Sequence, residues 1–117
     1  MSMIRLVALG AAVVIGGCGS DPYGSGGSGC TPTATQVCMT ASTFNPVSRT
    51  VTAGMTVMWR NGSSLDHTVT NDAGSAEVFN QSVGPSGTFS HQFNTADTFG
   101  YHCNIHPGMT GTIVVNP

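Results

Sequence analysis

The sequence predicts an all-β fold, arranged as a sandwich or a Greek-key barrel. Three observations support this prediction. The 117 residues include 16 glycines together with many threonines and valines, a composition that favours strands and turns. No long stretch repeats its apolar residues with the 3.6-residue period of a helix. Short segments of strand character recur at regular intervals between turn residues, as they do in sandwiches and barrels.

In the first half of the domain, four short strands are predicted between turns. In the third of them Val57 and Trp59 share one face, which is the alternation of a half-buried strand. In the fourth, His67 lies on the same face as Val69. These strands are expected at residues 37–42, 49–52, 55–61 and 66–70.

In the second half, a looser stretch at residues 71–87 is expected to cross the flank of the barrel. It carries two apolar residues of core character, Phe79 and Val83. Three strands are predicted after it, at residues 88–93, 98–103 and 110–115.

Strand alternation also predicts the orientation of one cysteine and two histidine side chains. Cys103 shares a face with Phe99 and Tyr101, so it should point into the core, whereas His102 should point to solvent as a surface histidine. His91 shares its face with Phe89 and Phe93, which predicts a hydrogen-bonded histidine in the core or at its rim. The sequence assigns His91 no functional role.

The amino terminus has the pattern of a bacterial lipoprotein signal at residues 1–17. Arg5 precedes a short apolar run at residues 6–15, and small residues lead to Cys18, the expected lipidated residue. An ordinary secretory signal or a buried strand are the alternatives. The Gly/Ser-rich composition of residues 18–35 predicts a flexible tether, and residues 36–117 are expected to form the folded domain. The protein is therefore expected to be exported and lipid-anchored to a bacterial membrane, facing the periplasm or the cell exterior.

Cys30 and Cys38 lie eight residues apart at the start of the domain. Export to an oxidising compartment favours a disulfide between them, which would pin the end of the tether to the first strand. A second metal site or two free thiols are the alternatives.

A cluster of metal-binding residue types occurs near the carboxyl terminus. Cys103, His106 and Met109 are spaced three residues apart on a loop that contains Pro107 and Gly108. Thiolate, imidazole and thioether ligands suit copper, and two histidines and a cysteine with a weak axial methionine make up the blue-copper electron-transfer arrangement. The loop supplies one histidine, so a second is required upstream, and His67 is the candidate.

Charge is sparse along the whole chain. There are three arginines, no lysine and five acidic residues. This composition provides no basic patch for nucleic acid and little electrostatic field for steering a charged partner.

The pattern of these residues resembles a cupredoxin, a small type 1 copper protein, and the short spacing from His106 to Met109 is similar to that of amicyanin. The resemblance implies a Greek-key β-sandwich of seven to eight strands and one copper ion that cycles between Cu(I) and Cu(II). It also implies that His67, Cys103 and His106 are the equatorial ligands and that Met109 is axial. The quoted pattern also includes Gly54, Val57, Trp59, Asn61, Phe93, Phe99, Tyr101, Gly111, Ile113 and Val115.

Two differences from the family pattern concern residues around the ligands. Thr68 and Asn104 stand where relatives carry Asn after the first histidine and Ser or Thr after the cysteine, and we expect them still to bond across the site. Ile105 stands where amicyanin and plastocyanin carry proline. Its backbone N–H is therefore expected to donate a second hydrogen bond to the Cys103 sulfur, which would favour Cu(I) and raise the potential.

The resemblance implies that electrons leave through His106 to redox partner proteins that dock near His106 and Pro107. We expect Gly108, Phe44 and Val83 to complete that apolar surface, and the chain to act as a monomer. A copper store or chaperone and an accessory electron-transfer domain of a larger respiratory or multicopper complex are the alternative functions. An enzyme is not expected, because His106 and Met109 would close the coordination sphere.

Overall fold

The computed structural model describes residues 30–117. The predicted signal at residues 1–17, the predicted lipidation site Cys18 and most of the predicted tether lie outside the described residues. Nine strands form the described part of the chain, which confirms the all-β prediction. They are β1 (Gln36–Met39), β2 (Phe44–Asn45), β3 (Ser48–Thr52), β4 (Thr56–Asn61), β5 (His67–Asn71), β6 (Asn80–Val83), β7 (Thr88–Gln92), β8 (Asp97–His102) and β9 (Thr110–Asn116).

The strands form two sheets. One has the order β3-β9-β8-β5-β6 and the other has the order β2-β1-β4-β7. Most neighbours are antiparallel, but β3 pairs with β9 and β1 pairs with β4 in parallel. A parallel pair cannot be joined by a tight hairpin, so the chain crosses between the sheets, as expected for a sandwich.

The strand count exceeds the expected seven to eight because two short elements carry weak sequence signals. The two-residue strand β2 lies where the sequence predicts a bend before Pro46. Strand β6 lies within the stretch predicted to be loose, and three of its four residues are exposed and polar. An edge strand of this kind has no apolar alternation to reveal it.

The core between the sheets is aromatic. The Trp59 ring meets Tyr101 edge-on at 5.3 Å between centroids and stacks with Phe89 at 5.6 Å. Tyr101 packs over Gly111, where any added Cβ would overlap the tyrosine ring. This cluster joins β4, β7, β8 and β9, and it forms the rigid base beneath the loops at one end of the sandwich.

Cys30 and Cys38 are bonded to each other, with a Cα–Cα distance of 5.8 Å. Cys38 lies in β1, so the bond attaches the start of the described chain to the four-stranded sheet. Within residues 30–117, no helix has the length and apolar character needed to cross a membrane.

Candidate metal centre

Strands β5 and β8 bring the predicted ligands to the same end of the sandwich. The two strands are antiparallel neighbours, and Thr70 lies opposite His102 in their register. His67 begins β5 and Cys103 directly follows β8, so both lie where the paired strands end. The tertiary structure therefore brings together two residues that are 36 positions apart in the sequence.

Three of the four predicted ligands converge. The Nδ1 atoms of His67 and His106 are 3.1 Å apart, and the Cys103 Sγ atom lies 3.9 Å from the first and 3.7 Å from the second. These are the residues whose donor atoms, all within 4.8 Å of one another, form a metal-binding group in the described part of the chain.

The geometry of this triangle fits a copper ion. With sides of 3.1, 3.9 and 3.7 Å, its centre lies about 2 Å from each corner, which is close to the length of a metal–nitrogen bond in proteins. One thiolate and two imidazoles in a trigonal set are the donors that suit type 1 copper. Met109 is buried and its backbone oxygen accepts from Cys103 N–H at 3.0 Å, so it would supply the thioether of such a set.

Backbone hydrogen bonds fold the ligand loop back on itself. Cys103 N–H donates to Met109 O at 3.0 Å, and Met109 N–H donates to His106 O at 3.1 Å. Gly108 has a φ of 88°, a left-handed conformation that glycine adopts without strain. The Pro-Gly turn thus closes the loop and brings Met109 back to Cys103.

The Cys103 thiol is buried, with only 4% of its surface exposed. Burial by itself would raise its pKa. Hydrogen bonds from the backbone N–H of Thr68, at 3.3 Å, and from the side chain and backbone of His106 more than offset this effect, and the pKa is lowered from 9.0 to about 6. The site is therefore prepared for thiolate, the form that binds metal.

The expected hydrogen bond from Ile105 is not formed. Among residues 30–117, the backbone amides that contribute hydrogen bonds to the sulfur belong to Thr68, at 3.3 Å on the neighbouring strand, and to His106. Ile105 instead turns its side chain outward, and 50% of its surface is exposed. The structure therefore gives no support to a potential raised through Ile105.

Thr68 and Asn104 do bond across the site, but not side chain to side chain. The backbone N–H of Asn104 donates to Thr68 Oγ1 at 2.8 Å, and the Asn104 amide donates to Thr70 Oγ1 at 3.1 Å. The Thr68 and Thr70 hydroxyl groups are 3.1 Å apart. Polar side chains of β5 therefore hold the first residue after Cys103.

His102 points outward, as strand alternation predicts, but it is not a solvated bystander. Its Nδ1 lies 2.6 Å from Asp72 Oδ1, and its Nε2 lies 3.0 Å from Asn104 Oδ1. Gly100 makes room for this contact, because a Cβ at that position would collide with the Asp72 carboxylate. Sequence reasoning missed Asp72, and Gly100 in the middle of a strand was the available signal.

His91 has the rim position that its strand parity predicts. Its Nε2 lies 2.8 Å from Glu77 Oε1, and its ring packs against Phe79 and Phe93. Burial raises the Glu77 pKa, but hydrogen bonds from His91 and from two backbone amides hold it below its usual value. These contacts identify a hydrogen-bonded structural histidine and not a ligand.

Two residues that sequence analysis did not place at the centre surround His67. Ser63 Oγ lies 3.0 Å from His67 Nε2, and buried Asn61 bonds to Ser63. Asn61 belongs to the family pattern quoted above, but its role was not apparent. The available signal was its parity: Asn61 ends the predicted strand 55–61 on the same face as Val57 and Trp59.

The expected apolar surface is composed differently. Phe44 and Val83 are buried, so neither of them can contribute. Leu65 and Ile105 are the exposed aliphatic residues on the two loops that flank the ligands, with 44% and 50% of their surfaces exposed. Pro107 is exposed beside the half-buried His106.

Comparison with known proteins agrees with this geometry. The copper-binding proteins of the plastocyanin/azurin family match residues 31–116. Plastocyanin from Scenedesmus fuscus is 36% identical over 86 residues, which cover 64% of this chain and 88% of the plastocyanin. Amicyanin-alpha from Methylorubrum extorquens is 31% identical over 85 residues, which cover 70% of this chain and 71% of the amicyanin.

Solved structures with the same architecture include amicyanin from Paracoccus versutus. It superimposes with a TM-score of 0.65 and 26% identity over 70% of this chain and 80% of the amicyanin. A purple cupredoxin from Nitrosopumilus maritimus, 23% identical over 70% of this chain and 99% of its own, shares the fold with a TM-score of 0.64. The chain therefore belongs to the plastocyanin/azurin family of copper-binding proteins, and it is a cupredoxin with the His67, Cys103, His106 and Met109 set of a type 1 copper electron carrier.

Proposed function

We propose that the protein carries single electrons between partner proteins, with one copper ion held by His67, Cys103, His106 and Met109. The observation that carries this proposal is the convergence of the two Nδ1 atoms and the Sγ atom within 4.8 Å of one another. Copper, when bound, supplies a Cu(I)/Cu(II) couple. The residues around it restrict the rearrangement that accompanies each electron transfer, because β5 and the closed loop hold the ligands in one geometry.

Electron entry and exit are assigned to the His106 side of the centre. His67, Cys103 and Met109 are buried, whereas the His106 ring is half-buried and lies next to exposed Pro107. Together with Leu65 and Ile105 these two residues define an apolar docking patch. Because there are few charges, we expect docking to be brief and to depend weakly on salt, as in small redox interfaces.

A carrier is favoured over a copper store or chaperone because of burial. A chaperone must present its ligands to the ligands of the receiving protein, but here the thiolate donor is 4% exposed and His67 is fully buried. An accessory domain of a larger complex would use the same patch, and it would differ from a free carrier only in its partner. We further propose that the chain is not an enzyme, since four protein ligands leave no position for a substrate.

Lipid anchoring through Cys18 is part of the same proposal. The signal pattern at residues 1–17 and the Gly/Ser-rich composition of residues 18–35 support an exported, membrane-tethered monomer in which the copper domain is held away from the lipid. Replacing Cys18 by Ser should release the protein from the membrane fraction. A variant that stays in that fraction, and whose amino terminus carries no lipid by mass spectrometry, would contradict the anchor.

Visible spectroscopy and redox kinetics test the central proposal. The purified protein loaded with one equivalent of Cu(II) should show an intense thiolate-to-copper absorption band, and this band should bleach and return in a reversible one-electron titration. Electron self-exchange measured by NMR should be fast. A protein that binds copper but shows slow exchange and readily gives up its metal to a chelator would be a store or chaperone instead.

A further inference from the structure

Asn61, at the end of β4, has a fully buried side chain whose hydrogen bonds are all made inside the protein. Its Nδ2 donates to Leu65 O at 2.7 Å and to Val83 O at 3.0 Å. Both partners are carbonyl oxygens, which can only accept, so the amide nitrogen must face them. The Asn61 Oδ1 atom is therefore directed at Ser63.

Ser63 is the hydrogen-bond partner of this fixed acceptor. Its backbone N–H donates to Asn61 Oδ1 at 2.9 Å, and its hydroxyl group donates to the same atom at 2.7 Å. A second carbonyl acceptor, Leu65 O, lies further away at 3.3 Å. A serine hydroxyl has a single proton, and three acceptors lie within reach of it: Asn61 Oδ1, Leu65 O and His67 Nε2. The shortest contact, 2.7 Å, is with Asn61 Oδ1, so we assign the proton to that contact.

The Ser63 oxygen can then only accept from its remaining neighbours. One of these is the backbone N–H of Leu65, at 3.2 Å, and the other is His67 Nε2, at 3.0 Å. With the serine proton assigned to Asn61, the hydrogen of the second contact comes from the histidine. This places a proton on Nε2 of the His67 ring and leaves the lone pair on Nδ1, the atom that faces Cys103 Sγ and His106 Nδ1.

We propose that Asn61 and Ser63 are positioning residues, which hold His67 in its Nε2–H tautomer and aim its Nδ1 lone pair at the copper position before the metal arrives. The inference rests on the proposed function in that the metal bound is copper. It deepens that function, because the orientation of His67 in the metal-free protein is then set by a hydrogen-bonded chain from β4 and not by the metal itself. In the metal-free protein the hydrogen between the two Nδ1 atoms then belongs to the more exposed His106 ring.

Backbone hydrogen bonds and strand pairing fix the position of Asn61 relative to His67. Asn61 also bonds through its backbone, donating to Gly87 O at 2.9 Å and accepting from Ser86 N–H at 2.9 Å. Val83, whose carbonyl oxygen the Asn61 amide holds, lies opposite His67 in the β5–β6 register. The residue that orients Ser63 is thus attached to the strand beside His67, so the spacing between them is set by the fold.

The first test reads the tautomer directly in the metal-free protein. Long-range 15N NMR of the wild-type chain should show a protonated His67 Nε2 whose hydrogen exchanges slowly with water, and an unprotonated Nδ1. Ser63→Ala should lose the slow exchange of this hydrogen, whereas Ser64→Ala, at the exposed neighbouring serine, should retain it. A wild-type His67 protonated at Nδ1 would overturn the inference whatever the protein does with copper.

The second test measures copper retention in the loaded protein. Removing a partner that orients a metal-binding histidine typically costs 10- to 100-fold in metal affinity, so Ser63→Ala should lose copper to a chelator about tenfold faster or more. Ser63→Thr, which keeps the hydroxyl group, and Ser64→Ala should stay within about twofold of wild type by the same reasoning. Equal rates in Ser63→Ala and wild type would overturn the inference.

The two tests separate this inference from the proposed function. A wild-type protein that binds copper but fails the NMR test retains its electron-carrier function and loses the inference. A wild-type protein that takes up no copper loses the function, while the NMR result still decides the tautomer. If Ser63→Ala does not fold, the wild-type tautomer and the Ser63→Thr variant decide the question.

Discussion

The two halves of the copper site are built in opposite ways. His67 is fully buried at the start of a strand, and a chain of hydrogen bonds through Ser63 reaches its outer ring nitrogen. His106 lies half-buried on a seven-residue loop beside exposed Pro107, and turn hydrogen bonds close that loop. One half is fixed by the interior of the sandwich, and the other is fixed mainly by its own turn.

This difference indicates a division of labour between the two halves. A ligand held by buried polar groups keeps its geometry when copper changes its charge, because every alternative arrangement would leave buried donors or acceptors without partners. A ligand on a surface loop costs less to displace, and its exposed ring edge can meet a partner protein. Rigidity and access are therefore provided by different regions, and the comparison can be tested region by region.

The largest expected effect comes from the buried half. Asn61→Ala removes a side chain that satisfies two carbonyl oxygens and orients Ser63, so it should lower the free energy of unfolding of the metal-free protein by about 2–4 kcal/mol. Asn104→Ala, on the exposed half, removes bonds to partly exposed groups and should cost about 1 kcal/mol or less. Denaturant unfolding with equal m-values measures both changes. Similar losses in the two variants would break the comparison.

The second effect is a loss of copper affinity at low pH. Because hydrogen bonds lower the Cys103 pKa to about 6, the thiolate is the resting form at neutral pH, and the proton competes with copper only below about pH 6. From this thiol alone, copper affinity should fall about tenfold for each further unit of pH. Competition with a chelator whose own protonation is known measures this affinity at each pH. A constant affinity between pH 6 and 4 would contradict the prediction.

The same shift has a consequence for the stability of the metal-free protein. A thiol whose pKa is lower in the folded than in the unfolded chain stabilises the fold above its unfolded pKa and loses that contribution as the pH falls through its folded pKa. Unfolding measured anaerobically should therefore show stability falling as the pH is lowered from about 9 to about 6. Cys103→Ser should lack this component.

A third, smaller effect concerns Glu77 at the rim of the core. Its hydrogen bonds do not involve the ligands, so it serves as a reference for both halves. Glu77→Gln keeps the shape of the side chain and one oxygen for the backbone N–H groups of Asn94 and Thr95, but an NH2 group replaces the oxygen that faces His91 and the negative charge is lost. We expect a loss of about 1–2 kcal/mol in the free energy of unfolding. The visible spectrum and the copper-loss rate should be unchanged. A shifted spectrum would mean that the rim cluster reaches the ligands.

The smallest effect is expected for the outermost member of the exposed half. Asp72→Asn weakens an exposed pair with His102, and such pairs contribute at most about 1 kcal/mol, so stability should change by less than this amount. Copper loss should change by less than about fivefold, the rate ratio equivalent to 1 kcal/mol. Stopped-flow transfer to a chelator measures this rate. A larger change would show that the loop depends on its surface contacts and is not fixed mainly by its own turn.

Much of the fold was predictable because its strands have one buried face. Val57 and Trp59 alternate with more exposed residues, and Cys103 follows the inward parity of Phe99 and Tyr101, so local periodicity was sufficient. Strand β6 was not predictable, because three exposed polar residues at a sheet edge have no such pattern. The hydrogen bond from Ile105 to the Cys103 sulfur was wrongly expected, because the presence of a backbone N–H does not show in which direction the loop points it.

The sequence by itself determined the chemistry of the site: a thiolate, two imidazoles and a thioether in a chain with strand periodicity and few charges. These properties depend on residue type and local spacing, which are present before folding. Only the tertiary structure decided that Thr68 and not Ile105 bonds to the sulfur, that His102 pairs with Asp72, and that Asn61 orients Ser63 toward His67. Hydrogen bonds between residues distant in sequence depend on ångström-scale separations, and those separations are set by how the two sheets and their loops pack together.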